Sequence, residues 1–293
     1  MKKTPIVLLK QRDFGQKMNA SFEFATGNFG PLVKALVFIA GPSALLSGIA
    51  QGMFQSRSLP LMQNGDIFSR FDIYLNVEYL FVTIFGLITY FLAYATVSAF
   101  IVLYEEKGSA QSIDPATVWN KILENISVSI GAQILSFVLI LIGTMFLIIP
   151  GIYLGVCLQF FMIIVIREKL PIVDSLKRSY KLIQGKWWST FGLIVIMSIV
   201  SSFIAIVFQF PMMITTILNM LGLGKGISDS KVLMIAASII AVVGTTVVQG
   251  IIWIAVAFQY YNLVERSEGS GLRAEIETLG SGDSERPDTE DRF

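Results

Sequence analysis

The sequence predicts an all-α protein, a polytopic membrane bundle of six transmembrane helices with cytosolic amphipathic helices beside it. Three observations predict this fold. The chain contains five long blocks without a charged residue, proline residues divide two of these blocks, and Lys and Arg residues collect in alternate connections. Of the 293 residues only 15% are charged and 54% are hydrophobic, whereas ordinary soluble domains have about 25% charged residues.

Each uncharged block is long enough to cross the hydrocarbon core of a bilayer, which takes about 20 apolar residues in a helix. Pro150-Gly151 lies within the third block and predicts a tight turn between two spans. Pro211 predicts the end of the fifth span, and residues 212–231 are then expected to form a loop. The blocks cover residues 35–56, 79–104, 125–166, 187–224 and 232–264. The six predicted spans cover residues 31–52, 77–104, 126–147, 151–166, 188–210 and 232–260.

The distribution of basic residues predicts the orientation of the spans, because cytosolic connections carry an excess of Lys and Arg. Most of the 22 basic residues lie in segments that share a side of the membrane with the N-terminus. The other side holds only Arg57, Arg70, Lys225 and Lys231. We therefore expect the N- and C-termini to lie in the cytosol.

Each predicted cytosolic segment carries a short amphipathic helix that leads into a span. Asp114 and Pro115 form a helix start in the second segment, since Asp caps a helix and Pro suits its first turn. In the first segment the predicted apolar face consists of Phe14, Met18, Phe22 and Ala25, with Arg12 and Lys17 off that face. In the third segment, residues 171–186, apolar residues recur at helical spacing. The basic residues of that helix, Lys177, Arg178, Lys181 and Lys186, form a candidate face for binding lipid or a partner.

The order of amphipathic helix, span and span occurs three times, which suggests an internal repeat. Phe22 and Tyr180 each lie five residues before a glycine, Gly27 and Gly185. Such spacing also recurs by chance. The amphipathic helices have two interpretations, either binding to anionic lipid or a partner, or a structural role at the membrane interface.

Residues for catalysis are scarce. The chain has no His and a single Cys, Cys157, and no ionisable residue lies within the uncharged blocks. An ion-coupled transporter or an intramembrane enzyme usually keeps such a residue at depth. We therefore expect no enzyme activity, no catalytic or metal-binding residues and no cofactor. The polar residues Gln133, Gln159, Gln209 and Gln249 form either ordinary helix–helix hydrogen bonds or a polar cleft for a solute or lipid headgroup.

Two segments of the chain resemble a known family. They are Ile149 to Tyr153, and Asp174 to Tyr180 continuing to Gly185-Lys186-Trp187-Trp188. They resemble the membrane domain associated with glycerophosphoryl diester phosphodiesterases and related bacterial six-span proteins, in the form of a stand-alone protein of the Bacteroidetes group. The resemblance implies that catalysis in fused members belongs to a separate soluble barrel, which has no counterpart here, and it implies a bacterial inner membrane.

These observations predict a cytosolic segment at residues 1–30, a membrane domain at 31–262 and a disordered cytosolic tail at 263–293. We expect a non-catalytic inner-membrane scaffold or accessory subunit of an envelope or lipid-related system. The alternative is a transporter or lipid translocator with a polar cleft between repeats. The expected partners are membrane lipids, anionic lipids among them, and a membrane protein, but no nucleic acid.

Overall fold

A computed structural model describes residues 6–64, 73–221 and 230–269. Within these ranges the regular structure is helical and contains no strand. The helices are α1 (Phe14–Gly27), α2 (Phe29–Ile39), α3 (Gly41–Asn64), α4 (Val77–Lys107), α5 (Pro115–Leu123), α6 (Ile126–Phe146), α7 (Ile148–Cys157), α8 (Phe161–Glu168), α9 (Ile172–Ile183), α10 (Trp187–Met220) and α11 (Lys231–Glu268), with short 3₁₀ turns at Ile73–Leu75 and Ala110–Ser112.

Five segments of the described chain are long and apolar enough to cross a membrane, and a sixth is formed by a bent pair of helices. The five are α4, α6, α7 together with α8, α10 and α11. The bent pair is α2 and α3, which meet at an angle of 62°. The bend falls just before Gly41-Pro42, where Pro lacks the N–H that a continuous helix would use. The chain is thus a multi-pass membrane protein with up to six spans.

Two proline residues act differently from one another. α6 ends at Phe146, and Leu147 is extended (φ −161°, ψ 148°), so Pro150 lies in the first turn of α7, where its missing N–H costs little. The chain turns at Leu147, next to the predicted turn. Pro211, in contrast, lies inside α10, which continues to Met220. The predictions that the helix ends at Phe210 and that a loop begins at Met212 are therefore wrong, since the helix continues to Met220. A membrane helix tolerates proline when it packs against neighbouring helices.

The predicted tail also begins later than expected. α11 continues to Glu268 and ends at Gly269, whose φ of 60° favours glycine. The remainder of the tail, residues 270–293, and the connection at 222–229 lie outside the described residues.

Both described ends of the chain lie at one end of the bundle. The backbone N–H of Arg12 donates to Asn262 Oδ1 over 2.8 Å. We call this end the terminal face. It contains α1, α5, α9 and the C-terminal ends of α4, α8 and α11. The opposite end, where α3 and α10 end and α4 and α11 begin, is the far face. There Arg57 pairs with Glu78 over 2.7 Å.

The three amphipathic helices form as predicted, and each precedes a pair of spans. Asp114 accepts from the backbone N–H of Thr117 over 2.8 Å at the start of α5. In α1 the buried face differs from the predicted one, because Lys17 is buried with Ala20, Ser21, Phe24 and Ala25. Phe14, Met18 and Phe22 are partly buried against α10 and α11.

Packing differs between the two halves of the bundle. In the terminal half, every α11 residue from Trp253 to Glu265 is buried, as are α4 residues 93–104. In the far half, α3 touches α11 through two glycines one helical turn apart. A Cβ on Gly48 would lie 2.7 Å from Ile239 Cα, and one on Gly52 would lie 2.5 Å from Ile235 Cα. The two backbones are therefore as close as glycine allows.

We predict that Gly52→Ala lowers the free energy of unfolding by about 1–3 kcal/mol, because the added methyl group meets backbone and α3 must move away from α11. The measurement is the thermal unfolding midpoint of the purified protein in mild detergent. Gly155→Ala is the matched control, since a Cβ there has no neighbour within 4 Å. Equal midpoints for both variants would contradict the close packing of α3 on α11.

Candidate functional site

An ionic network joins three spans at the terminal face. Arg167 of α8 donates to both carboxylate oxygens of Glu105 in α4, each over 2.8 Å. The same guanidinium donates to the Tyr260 hydroxyl of α11 over 3.1 Å. Tyr261 donates to Glu105, and Tyr260 to Glu168, both over 2.6 Å. A two-pronged Arg–carboxylate pair is geometrically specific, so the network fixes how these helix ends meet.

The network continues into α9 through Arg178. Its guanidinium donates to Glu168 over 3.1 Å and also pairs with Glu268 at the end of α11. Burial lowers the pKa of Arg178, but the two carboxylates outweigh burial and raise it overall. On the buried side of α9, Ser179 Oγ donates to the Cys157 carbonyl over 2.7 Å and accepts from the Phe160 N–H over 3.1 Å. Both contacts lie at the junction of α7 and α8.

Because Arg178 is held in ion pairs, the exposed basic residues of the predicted face are Lys177, Lys181 and Lys186. Lys177 and Lys181 lie one turn apart, so they share a face of α9. Lys186 follows after Gly185, whose φ of 71° turns the chain into α10. The structure therefore brings two lysines together and separates Arg178 from them.

An apolar groove of about 320 Å³ lies between α6, α7 and α9, and Lys177 lines it. Val173 and Tyr180 are 52% and 38% exposed, although they belong to the predicted apolar stripe of α9. They are exposed because they face this groove. The other apolar residues that line the groove are Leu135, Leu139, Leu154, Leu158 and Leu176.

Aromatic side chains flank the groove at the junction of α9 and α10. The Trp187 ring stacks on Tyr153, with centroids 5.6 Å apart, and its Nε1 donates to the Tyr153 carbonyl over 3.2 Å. Trp188 is 77% exposed. Tryptophan is enriched where headgroups meet acyl chains, so these residues mark that boundary beside α9.

α1 is anchored to the bundle by two buried cations. Lys17 Nζ donates to Gln259 Oε1 over 2.6 Å, and Gln259 Nε2 donates to Thr190 Oγ1 over 2.9 Å. Burial, together with the nearby cations Arg266 and Lys186, lowers the pKa of Lys17 to about 8. Burial also lowers the pKa of Arg12, whose guanidinium donates to the Leu8 and Val7 carbonyls and lies over the Phe258 ring of α11, 5.2 Å from its centroid.

The four glutamines of the predicted polar cleft lie in three places. Gln209 and Gln249 line one groove between α3, α4, α10 and α11. Gln133 lies on α6 with its Oε1 buried and without a hydrogen-bond partner. Gln159 lies between α7 and α8, where its backbone carbonyl accepts from Tyr94. Gln209 and Gln249 thus share a groove, and Gln133 and Gln159 lie outside it.

Several residues that shape these sites could not be identified from the sequence. Arg167 and Glu105 lie at the ends of spans, where charged residues are expected, but the sequence does not show that they pair with each other. Gln51 and Tyr90, which line the groove of Gln209 and Gln249, lie in runs that differ little from other apolar runs. Across the described ranges no three Cys, Asp or Glu side chains gather in a way that could bind a metal ion.

The chain belongs to the family of the domain of unknown function DUF7847, whose model matches residues 69–263. This range includes α4 to α10, most of α11 and all residues that line the groove at α9, whereas Ser47 and Gln51 of the second groove precede it. No curated protein and no solved structure matches the chain.

We predict that Arg167→Gln destabilises the protein by about 2–4 kcal/mol, because it leaves Glu105 and the Tyr260 hydroxyl without their cation in a partly buried setting. Unfolding in mild detergent, followed by circular dichroism, measures this loss. The control is Arg57→Gln, which breaks an Arg–Glu pair whose Arg side chain is 59% exposed and costs about 0–1 kcal/mol. Similar losses in the two variants would show that the network does not fix the helix ends.

We predict that Lys17 makes stability depend on pH. Its pKa falls from 10.5 to about 8 on folding, so between these values the unfolded chain binds more protons than the folded one. Stability then rises with pH across about 8 to 10.5. Lys17→Met should remove this part of the rise in the unfolding midpoint, whereas Lys34→Met, at an exposed position, should keep it. If the original chain and both variants had the same pH profile of the unfolding midpoint, the claim that folding buries Lys17 and lowers its pKa would be refuted.

Proposed function

We propose that this chain is a non-catalytic integral membrane protein that binds anionic phospholipid at α9 and acts as a membrane scaffold or accessory subunit. One observation carries the proposal: Lys177 lines an apolar groove between α6, α7 and α9. A groove of this kind accepts an acyl chain, and the adjacent ammonium groups of Lys177 and Lys181 attract a phosphate.

The fixed position of α9 supports this proposal. Arg178 is engaged with Glu168 and Glu268, so it holds the helix against the bundle and leaves Lys177 and Lys181 facing outward. Lysine stems lie along apolar surface while the charged ends reach the headgroup region. α9 is thus an interfacial helix in a fixed orientation, which suits recognition of a lipid better than a freely moving segment does.

We further propose that the terminal face lies in the cytosol of a bacterium and that the protein resides in the inner membrane. The excess of Lys and Arg on the terminal face supports this orientation. We also propose kinship with the membrane domain of glycerophosphoryl diester phosphodiesterases, based on the residues around Pro150 and the segment from Asp174 to Trp188. On this view the chain contributes membrane architecture, and a partner protein contributes any catalysis.

The alternative function, a translocator, draws support from the groove that holds Gln209 and Gln249. Translocation needs a path through both halves of the membrane. The tightly packed terminal half argues against such a path, because Tyr94, Trp253 and their neighbours on α4 and α11 are buried and Tyr94 stacks on Trp253 at 4.3 Å. Transport of labelled lipid by the purified protein in liposomes would favour the translocator.

We predict that replacing Lys177 and Lys181 together by Gln weakens binding of phosphatidylglycerol about tenfold or more, since each lysine near an anionic surface contributes about 1 kcal/mol. Binding is measured by titrating the lipid into purified protein and counting bound molecules by native mass spectrometry.

The matched control replaces Lys10 and Lys34, which are also exposed, and removes the same charge away from the groove. If both double variants bound phosphatidylglycerol equally weakly, the effect would be general charge attraction, and the proposed site would be overturned. Leu154→Trp keeps every charge but fills the groove, and it should also reduce binding.

A further inference from the structure

The second groove, between α3, α4, α10 and α11, has a volume of about 380 Å³, within the range of small-molecule sites. A smaller cavity of about 290 Å³ shares Gln209 and Met212 with it and adds Gln55 and Thr216 toward the far face. The main groove is lined by amides and hydroxyls, which belong to Ser47, Gln51, Thr89, Tyr90, Gln209, Thr245, Thr246 and Gln249.

The amides in this groove lack hydrogen-bond partners in the part of the chain that the structure describes. Among the described residues, the side chains of Gln51, Gln209 and Gln249 form no hydrogen bond, and those of Gln209 and Gln249 are exposed. Each amide carries two N–H donors and a carbonyl acceptor. Unpaired polar groups are costly within a bilayer, so these amides favour a polar occupant at this depth.

The lining determines the chemistry of that occupant. Of the described residues, none that lines the main groove or the cavity beside it is charged, so a charged group would meet no counter-ion among them, which is unfavourable. Amides and hydroxyls both donate and accept, and they therefore match the hydroxyl groups of a sugar or of glycerol. Tyr90 lies edge-on to Trp253 at 5.2 Å and is 40% exposed, which offers ring surface to the C–H groups of such a moiety.

The position of the groove indicates that its occupant comes from the bilayer. The groove lies along spans, beside exposed apolar residues on both flanking helices, Leu87 and Ile88 of α4 and Phe210 and Met213 of α10. A lipid headgroup that entered here could keep its acyl chains against these residues. A free sugar would gain nothing from them.

The groove is also held in shape by close helix contacts. The approach of Gly48 and Gly52 to α11 fixes the positions of their chain neighbours Ser47 and Gln51, which line the groove. Gly244 packs on the Phe208 ring so closely that a Cβ on this glycine would lie 2.2 Å from the ring. This contact fixes the position of the next residue, Gln209. The amides are therefore arranged by the bundle before anything binds.

We propose that this groove binds the uncharged, hydroxyl-bearing headgroup of a glycerolipid, such as a glycosyl diacylglycerol. This site is separate from the phospholipid groove at α9 and uses different residues. It is a binding site in the far half of the membrane, with no path through the terminal half.

The test uses the full-length protein in detergent, with monoglucosyl diacylglycerol as the probe and native mass spectrometry to measure the bound fraction. Replacing Gln209 and Gln249 together by Leu should weaken binding about tenfold, the change expected from losing two hydrogen bonds. Gln133→Leu, which replaces an unpartnered amide outside the groove, is the control and should bind as the original chain does. Gly86→Leu fills the groove where a Cβ meets no neighbour, and it should abolish binding.

The unfolding midpoint without lipid provides a second readout. Because Gln209 and Gln249 have no hydrogen-bond partners among the described residues, the double variant should be as stable as the original chain or more stable. Undiminished binding in the double variant would overturn the proposal, and so would a lower midpoint, which would assign the amides a structural role. The proposal would also be overturned if free glucose bound as well as the glycolipid. It would be overturned too if the protein preferred phosphatidylglycerol to the glycolipid and Gly86→Leu blocked that binding. Replacing Lys177 and Lys181 should leave binding of the glycolipid unchanged, which separates this site from the proposed function.

Discussion

The guanidinium of Arg167 is the contact on which the arrangement of the terminal face depends. It joins α8 to α4 through Glu105 and to α11 through Tyr260. Glu168, the next residue, carries the same network to α9 through Arg178. Helices in a bilayer gain little from the hydrophobic effect when they associate, so packing and polar contacts must select one arrangement. The Arg167 network makes that selection where the helices leave the apolar region.

The two halves of the bundle consequently have different physical properties. In the terminal half, α4 and α11 are buried on all sides, and the polar network closes the end. In the far half, α3 and α10 approach α11 closely at Gly48, Gly52 and Gly244, and cavities remain beside these contacts. We propose that the tight half orients an interfacial helix whose lysines bind anionic headgroups, and that the amides of the looser half bind an uncharged polar guest. On this proposal a single fold offers two chemically distinct surfaces to lipid.

Much of this fold could be predicted from the sequence because hydropathy and charge act locally. The uncharged blocks predicted all-helical membrane architecture, and the Asp114-Pro115 pair predicted the start of α5. Contacts between distant segments could not be predicted in this way. The helical pattern of α1 predicts Lys17 on a polar face, yet Gln259 and Ser189, far along the chain, give it a buried site. Pro211 predicts the end of a helix, but packing of α10 against α11 outweighs one lost hydrogen bond.

The candidate sites show the same division. The lysines of α9 could be identified from helical spacing, whereas the groove beside Lys177 required the positions of α6 and α7. The pair Gln209 and Gln249 could be chosen as polar residues at depth. These two glutamines share a groove with Gln51 but not with Gln133 or Gln159. This grouping depends on which helices are neighbours in the bundle, which periodicity within one helix does not show.

The most direct test of the central claim, that α9 and its groove hold an anionic phospholipid, is cross-linking with a photoactivatable phosphatidylglycerol whose reactive group lies in an acyl chain. The protein is reconstituted in bilayers, irradiated and mapped by peptide mass spectrometry. We expect labels concentrated on α6 around Leu139 and at α7 around Leu154 and its C-cap Leu158, with a loss of label when unlabelled phosphatidylglycerol competes. Labels spread evenly over lipid-exposed residues such as Phe203 and Val207, or labels that an uncharged lipid displaces equally well, would contradict it.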